Sequence, residues 1–365
     1  MISNVKIVGA GSIGNHLANA SRRMGWSVTI CDIDPAALAR TRDEIYPARY
    51  GAWDDAITLC APDDAPRGGF DLICIGTPPD VHMKLAMAAL DEKPAAILVE
   101  KPLCGPALEG AEDLREAAAQ AGVRVFTGYD HVVGAAAEQA AARAASGDLG
   151  AIATLDVDFR EYWGGIFAAH PWLAGPWETY LGFSARGGGA SGEHSHAINL
   201  WQHFAHEIGA GRVTTVSARM DWVRDGRVEY DRLCALHLES ESGLIGQCTQ
   251  DVVTKPTRKS ARMQFEDGFV EWQCGAEPGI DRVVEAADGA EAVTTDISKT
   301  RPDDFIRELG HIDACLENGA NSPISLDRGL DTMLVIAAAH LSDSTGRRVG
   351  IDYSKGCRPE ALSTE

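Results

Sequence analysis

Basic residues are scarce in this 365-residue chain: Lys and Arg number 33 against 53 Asp and Glu, a formal net charge of −20. A surface of that sign repels phosphate backbones and anionic headgroups, which excludes nucleic acid and membrane as partners. Long apolar runs are missing too. The stretch from Met333 to Leu341 is nine residues against the ~20 that cross a bilayer, and reads as a buried helix. Met1 leads straight into the apolar Val5–Val8 without the basic and apolar regions of an export signal, so a cytoplasmic protein is expected. The nine cysteines include no C-x-x-C pair and no close cluster, which fits a reduced compartment, each thiol serving as a small buried hydrophobe. No internal repeat or low-complexity segment is present.

The length suffices for two domains. Up to about residue 128, short β-rich runs (Val5–Val8, Ser27–Cys31, Asp71–Gly76, Ala95–Val99, Val123–Gly128) alternate with alanine-rich amphipathic stretches, the signature of a parallel, doubly wound sheet. After a helical pattern over Ala135–Ser146 the texture becomes period-two, at Ala151–Arg160, Arg212–Val223, Leu233–Glu239, Gly246–Val253, Ala261–Val270 and Arg282–Ala287. These runs predict an antiparallel sheet with one wet face. Two helical patterns, Asp303–Glu317 and Arg328–Leu341, close the chain around a Gly319–Pro323 turn. Residues 161–186 carry three Trp, two Tyr and two Phe among Gly and Pro without periodicity, longer than an ordinary connection and so a candidate functional loop.

Gly9-Ala-Gly11-Ser12-Ile13-Gly14 follows the first strand and opens a helix. In that setting Gly9 makes the tight turn, Gly11 admits a pyrophosphate to the backbone and Gly14 lets helix pack on strand. The pyrophosphate then sits on the free N–H groups of the helix N-terminus. Asp32, 18 residues beyond Gly14 at the end of the second strand, is placed to accept hydrogen bonds from the adenosine ribose and to repel a 2′-phosphate, and Ile33-Asp34-Pro35 supplies no cation. NAD rather than NADP is the expected cofactor. The fold class is α/β: an N-terminal Rossmann doubly wound sheet in residues 1–128, an α+β domain with a large, mostly antiparallel open sheet in 129–350, and a tail in 351–365.

Three further segments resemble one family, the glucose–fructose oxidoreductase, inositol dehydrogenase and rhizopine-catabolism group (Gfo/Idh/MocA). Ile75-Gly-Thr77-Pro78-Pro79-Asp-Val-His82 is similar to its T-P-P-x-x-H turn, and Glu100-Lys101-Pro102 to its E-K-P motif. Gly187-Gly-Gly-Ala-Ser-Gly-Glu193-His194-Ser-His196-Ala-Ile-Asn199 resembles its D-x-G-x-H-x-x-D segment, closest to a subset reading G-G-G-x-x-x-E-x-S-H-x-x-D. The ending Ala338 to Val349 matches as well, so the resemblance spans nearly the whole chain. It implies an oxidoreductase that moves hydride between a nicotinamide and a secondary alcohol carbon of a sugar, sugar acid or inositol-like polyol. It also implies Lys101 and the motif histidine beside the nicotinamide, and a homodimer or homotetramer built through the second sheet. The cofactor wall is then expected from Gly9, Gly11, Ser12, Ile13, Gly14, Asp32, Ile33, Thr77, Pro78, His82, Glu100 and Lys101.

Oxidising an alcohol requires a base within hydrogen-bond reach of the hydroxyl. His196 is the candidate, its unperturbed pKa lying near the working pH. Lys101, fixed between a strand end and a proline, is placed to stabilise the developing alkoxide, and Glu193 to orient His196 or hold a substrate hydroxyl. Two positions depart from the family: counted from His196, its usual aspartates are Gly192 and Asn199, and an amide is no base at neutral pH. Its G-Y-N-x-R-F segment here reads Gly128-Tyr129-Asp130-His131-Val132-Val133, and the missing arginine argues against an anionic group there. The substrate is expected to meet Lys101, Tyr129, Asp130, His131, His194, His196 and Asn199, with Trp163, Trp172 and Arg186, and also Trp177, Tyr180 and His170, from the aromatic loop. His194, His196, His203 and His206 invite a metal reading, but their spacing matches no H-E-x-x-H pattern and no metal is expected. Two rival functions remain open: glycoside cleavage through transient sugar oxidation, and a non-catalytic regulator that binds NAD and a sugar.

Overall fold

Leu72–Ile75 and Ala96–Val99 are apolar without alternation and buried at every position, as strands covered by helices on both faces must be. The computed structural model describes residues 1–168 and 172–365. In chain order the first layer comprises β1 (Asn4–Val8), α1 (Ser12–Arg23), β2 (Ser27–Cys31), α2 (Pro35–Arg40), α3 (Tyr46–Tyr50), β3 (Ile57–Cys60), β4 (Leu72–Ile75), α4 (His82–Leu90), β5 (Ala96–Val99), α5 (Ala111–Ala121) and β6 (Arg124–Thr127). Its six strands are parallel in the order β3-β2-β1-β4-β5-β6. The order reverses between β1 and β4, and the crevice at such a switch point is where doubly wound sheets bind ligands.

The second layer begins with α6 (Ala135–Ala144) and β7 (Ile152–Arg160), then α7 (Gly164–Ala168), α8 (Gly189–Glu193) and α9 (His196–Glu207). Next come β8 (Val213–Arg224), β9 (Glu229–Ser240), β10 (Ile245–Asp251), β11 (Arg258–Phe265), β12 (Gly268–Glu277), β13 (Ile280–Ala287) and β14 (Val293–Ser298), and the chain closes with α10 (Arg301–Asn318), α11 (Leu326–Thr345), β15 (Val349–Ile351) and β16 (Leu362–Thr364). The ten strands run β14-β13-β12-β11-β7-β10-β9-β8-β15-β16, antiparallel except where β7 meets β10. In β7 the inward residues Leu155, Val157 and Phe159 alternate with more exposed ones, and the buried Trp201 of α9 donates its indole N–H to Leu155 O at 2.9 Å. A capping box at Thr300 and Asp303 starts α10, and Gly319 in the left-handed region stops it. The chain then returns to the first sheet, where Thr127 N–H bonds Ile324 O at 2.8 Å. His16 of α1 stacks on Phe305 of α10, ring centres 4.8 Å apart.

Several elements differ from the sequence expectation. Strand β3 is an edge of four residues whose pairing with β2, not its own pattern, makes it a strand. The run Ala261–Val270 is not one strand: β11 and β12 turn on Glu266-Asp267, with Gly268 opposite Phe265. Residues 351–365 are not a free tail. Cys357 and Ala361 are buried, Cys357 N–H bonds the Glu112 carboxylate at 2.7 Å, and β16 forms the edge of the second sheet. All nine cysteines are free thiols, seven of them buried. Among the described residues no helix is long and apolar enough to cross a membrane.

Candidate functional site

The Gly9–Gly14 turn is built as its spacing demands. Gly9 has φ +109°, and a Cβ there would stand 2.7 Å from Gly76 O; a Cβ on Gly14 would collide with Gly9 O. Around Gly11 the same construction meets nothing within 4 Å. That open space lies against the first turn of α1, which has no side-chain cap, so its N–H groups are free for an anion. Asp32 is held by two backbone donors, Ala10 N–H at 2.7 Å and Asp34 N–H at 2.8 Å. Ile33 beside it is 88 % exposed, an apolar surface suited to cover an adenine. These residues fit a dinucleotide. The sequence did not reveal Arg49, whose guanidinium bonds Ser12 O at 2.9 Å and Ser12 Oγ at 2.8 Å; it comes from a short helix that carries no motif.

At the end of β5, Glu100 is buried with its carboxyl against Gly128. Burial pushes that carboxyl up to about 7, against the pull of Lys101. The Lys101 ammonium donates to Glu193 O at 2.9 Å and pairs with Glu193 Oε2 at 3.2 Å, closing the strand-end loop onto α8 across 92 residues of sequence. Tyr180 also donates to Glu193 Oε2, at 3.1 Å. Glu193 therefore serves Lys101 rather than orienting His196.

His196 opens α9, and its ring is boxed by Tyr129 at 5.5 Å, His131 at 4.7 Å and Phe159 at 6.2 Å between centroids. Burial holds its pKa well below the ordinary range, and His131, Lys101 and Lys259 push it the same way. Lys259 of β11 was not expected at the site, since nothing in a period-two run marks which outward residue meets a neighbouring element. It pairs with Glu161 at 2.9 Å. One ring nitrogen of His196, Nδ1, faces Asp130 Oδ1 at 3.8 Å. Ligand atoms of Asp130, His131 and His196 lie within 4.8 Å of one another, a donor set that could chelate a metal, although Lys101 and Lys259 oppose a further cation there. His203 and His206 do not join it: they lie farther along α9, beside Arg212 and Arg328.

Some expected contact residues stand behind the site instead of in it. His82 is fully buried, its ring nitrogens 2.7 Å from Thr77 O and 3.0 Å from Pro102 O, so it ties the two loops together and has no face for the cofactor. Tyr129 is fully buried and reaches the site only as a wall of His196. Asn199 turns its amide to Thr332 Oγ1 at 3.1 Å in the core beside α11. Trp163 is buried with Leu181, Ala190 and Val252. His194 is buried as well, while Arg186 is paired with Asp80 at 2.8 Å. Trp172 and Trp177 are 38 % and 37 % exposed, and His170 lies outside the described residues.

Two family models match the chain: the oxidoreductase family with NAD-binding Rossmann fold over residues 3–129, and the GFO/IDH/MocA C-terminal domain over residues 137–271. No curated protein matches it in sequence. Among solved structures it is similar to an oxidoreductase from Agrobacterium radiobacter in complex with NAD+, L-tartaric acid and magnesium, at 19 % identity, covering 96 % of this chain and 98 % of that one with a TM-score of 0.74. It is similar to levoglucosan dehydrogenase in complex with NADH and levoglucosan, at 18 % identity, 95 % and 99 % coverage and a TM-score of 0.76. An aldose-aldose oxidoreductase from Caulobacter crescentus complexed with glycerol gives 18 %, 96 %, 100 % and 0.75.

Proposed function

Because the chain belongs to the Gfo/Idh/MocA family of NAD-binding oxidoreductases, we propose that it oxidises or reduces one secondary alcohol carbon of a sugar, sugar acid or inositol-like polyol. The observation that carries this reading is that Lys101, in the loop after β5, is pinned by Glu193 close enough to the start of α9 for its charge to act on His196. When bound, NAD takes up or returns the hydride. In the oxidative direction the hydroxyl proton passes to His196, neutral because buried, while the Lys101 ammonium donates to the oxygen and stabilises its developing negative charge. Glu193 holds the ammonium in place, so the lysine reaches the substrate without searching rotamers. The buried, aromatic-walled pocket around His196 excludes water from that transfer.

The test is a panel of sugars, sugar acids and inositols incubated with the protein and NAD and followed by absorbance of NADH. Stoichiometric NADH release is expected from one class of polyol, and it is lost when Lys101→Ala and His196→Ala are combined. Turnover surviving that double change would overturn the assignment. Bond cleavage of a glycoside without net NADH would replace simple oxidation with redox-assisted elimination.

A further inference from the structure

Counted from His196, the two carboxylates of the family's helix motif fall on Gly192 and Asn199, while counted from the glycines Glu193 takes the first of them and is engaged with Lys101. The residues that depart from the family's other loop motif, Asp130 and His131, are the two that converge on His196. We propose that Asp130 is the positioning residue of His196, with His131 holding the ring edge-on.

The geometry supports this in three ways. Among the described residues Asp130 is the one carboxylate within ion-pair range of His196, its Oδ1 facing Nδ1 at 3.8 Å. Asp130 is 7 % exposed and its carboxylate accepts no hydrogen bond among the described residues, while His131, Arg301, Lys299 and Lys101 supply the positive charge around it. His196 Nδ1 is likewise buried without a hydrogen bond. Catalytic hydrogen bonds are often long before substrate binds and tighten in the complex. The other charged or titratable groups near His196 are Lys101 at the end of β5, Lys259 on β11, and His131 and His194, none of which is an anion that could accept a hydrogen bond from Nδ1–H. With Nδ1–H directed at Asp130, the lone pair is on Nε2, the nitrogen on the far side of the ring. The proton balance is then simple: Nε2 takes the substrate's hydroxyl proton, Nδ1–H stays on the imidazolium, and Asp130 remains ionised to stabilise it.

This inference rests on the function proposed above, so its test begins with a readout that needs no substrate. Full-length protein labelled with 15N-histidine is titrated by NMR with and without NAD, and the His196 signal is identified by its loss in His196→Gln. The neutral ring is expected to carry its proton on Nδ1. Asp130→Asn is expected to shift the tautomer toward Nε2–H and to weaken proton affinity at least tenfold, and Asp130→Glu to restore both. An unchanged tautomer and affinity in Asp130→Asn would refute the proposal. So would one equivalent of a transition metal that copurifies with the wild type and is lost with Asp130, since the three residues would then be ligands. If Asp130→Asn shows no cooperative melt, Asp130→Glu and Asp130→Ser carry the comparison. On whichever polyol turns over, Asp130→Asn lowers kcat on the order of 100-fold and leaves KM for NAD unchanged. If no polyol turns over, the proposed reaction fails while the titration still decides the role of Asp130.

Discussion

Asp32 makes the cofactor preference a number. Its carboxylate is held by two backbone N–H groups, at 2.7 and 2.8 Å, and cannot swing away from a phosphate arriving on the adenosine ribose. The first basic residue after Asp32 in the chain, Arg40, already pairs with Asp34 at 3.4 Å. Two unit charges of phosphate about 4 Å from one carboxylate cost about 2 kcal/mol in bulk water and about 8 kcal/mol at an effective dielectric near 20, less whatever salt screens at this partly exposed position. Even the lower figure is about 30-fold in affinity. Titration of tryptophan fluorescence at physiological salt is therefore expected to give NADPH a Kd at least 30-fold above that of NADH. Asp32→Asn keeps one acceptor for Ala10 N–H and removes the charge, so it should weaken NADH by roughly tenfold and narrow the ratio to below tenfold. A wild-type ratio under threefold, or a ratio that Asp32→Asn leaves unchanged, would refute the reasoning.

Three other outcomes follow from the same geometry. Restoring the family's aspartate with Gly192→Asp is expected to destabilise the protein by more than about 3 kcal/mol in urea unfolding and to restore nothing, because a Cβ there collides with Gly187 O. Glu193→Gln leaves the Lys101 ammonium buried without its ionised partner and should cost about 3–5 kcal/mol by the same measurement; a loss under 1 kcal/mol would mean the pair does not hold the loops. Burial raises Asp231 from 3.8 to about 7, although Ser184 Oγ and the N–H and Oγ of Ser191 all donate to it. A raised acid contributes stability that is complete below pH 4 and lost as pH rises through about 7, here about 4 kcal/mol, so urea unfolding at pH 5 and pH 8 should differ by most of that and Asp231→Asn should flatten the difference.

The parts of the fold legible in sequence are those whose burial is two-sided or strictly alternating. Leu72–Ile75 and Ala96–Val99 declare themselves because helices cover both faces, and Ile152–Arg160 because one face is wet. Strands β3, β14, β15 and β16 were missed for one physical reason: they are short or lie toward sheet edges, and their neighbours supply the order that their own residues do not. At the site, the glycines were legible because close approach restricts the residue type, and Lys101 and His196 stood out through the motifs that contain them. The partners were not. Whether Glu193 serves Lys101 or His196 depends on how α8 docks against the end of β5, and no spacing along the chain encodes that distance.

The two departures from the family motif show where residue-by-residue transfer fails. Gly192 cannot bear any side chain while Gly187 O lies against it, and Asn199 is turned toward Thr332 in the core. Neither position can present a carboxylate to the substrate, whatever residue occupies the family's alignment. Burial, His131 and two lysines hold the His196 imidazole neutral and lower its proton affinity. The carboxylate that does approach the ring comes from the loop after β6, where Asp130 and His131 stand in place of the residues the family usually carries. The motif read alone suggests a helix stripped of its acids; the fold brings a carboxylate to within 3.8 Å of the helix's histidine from a different element.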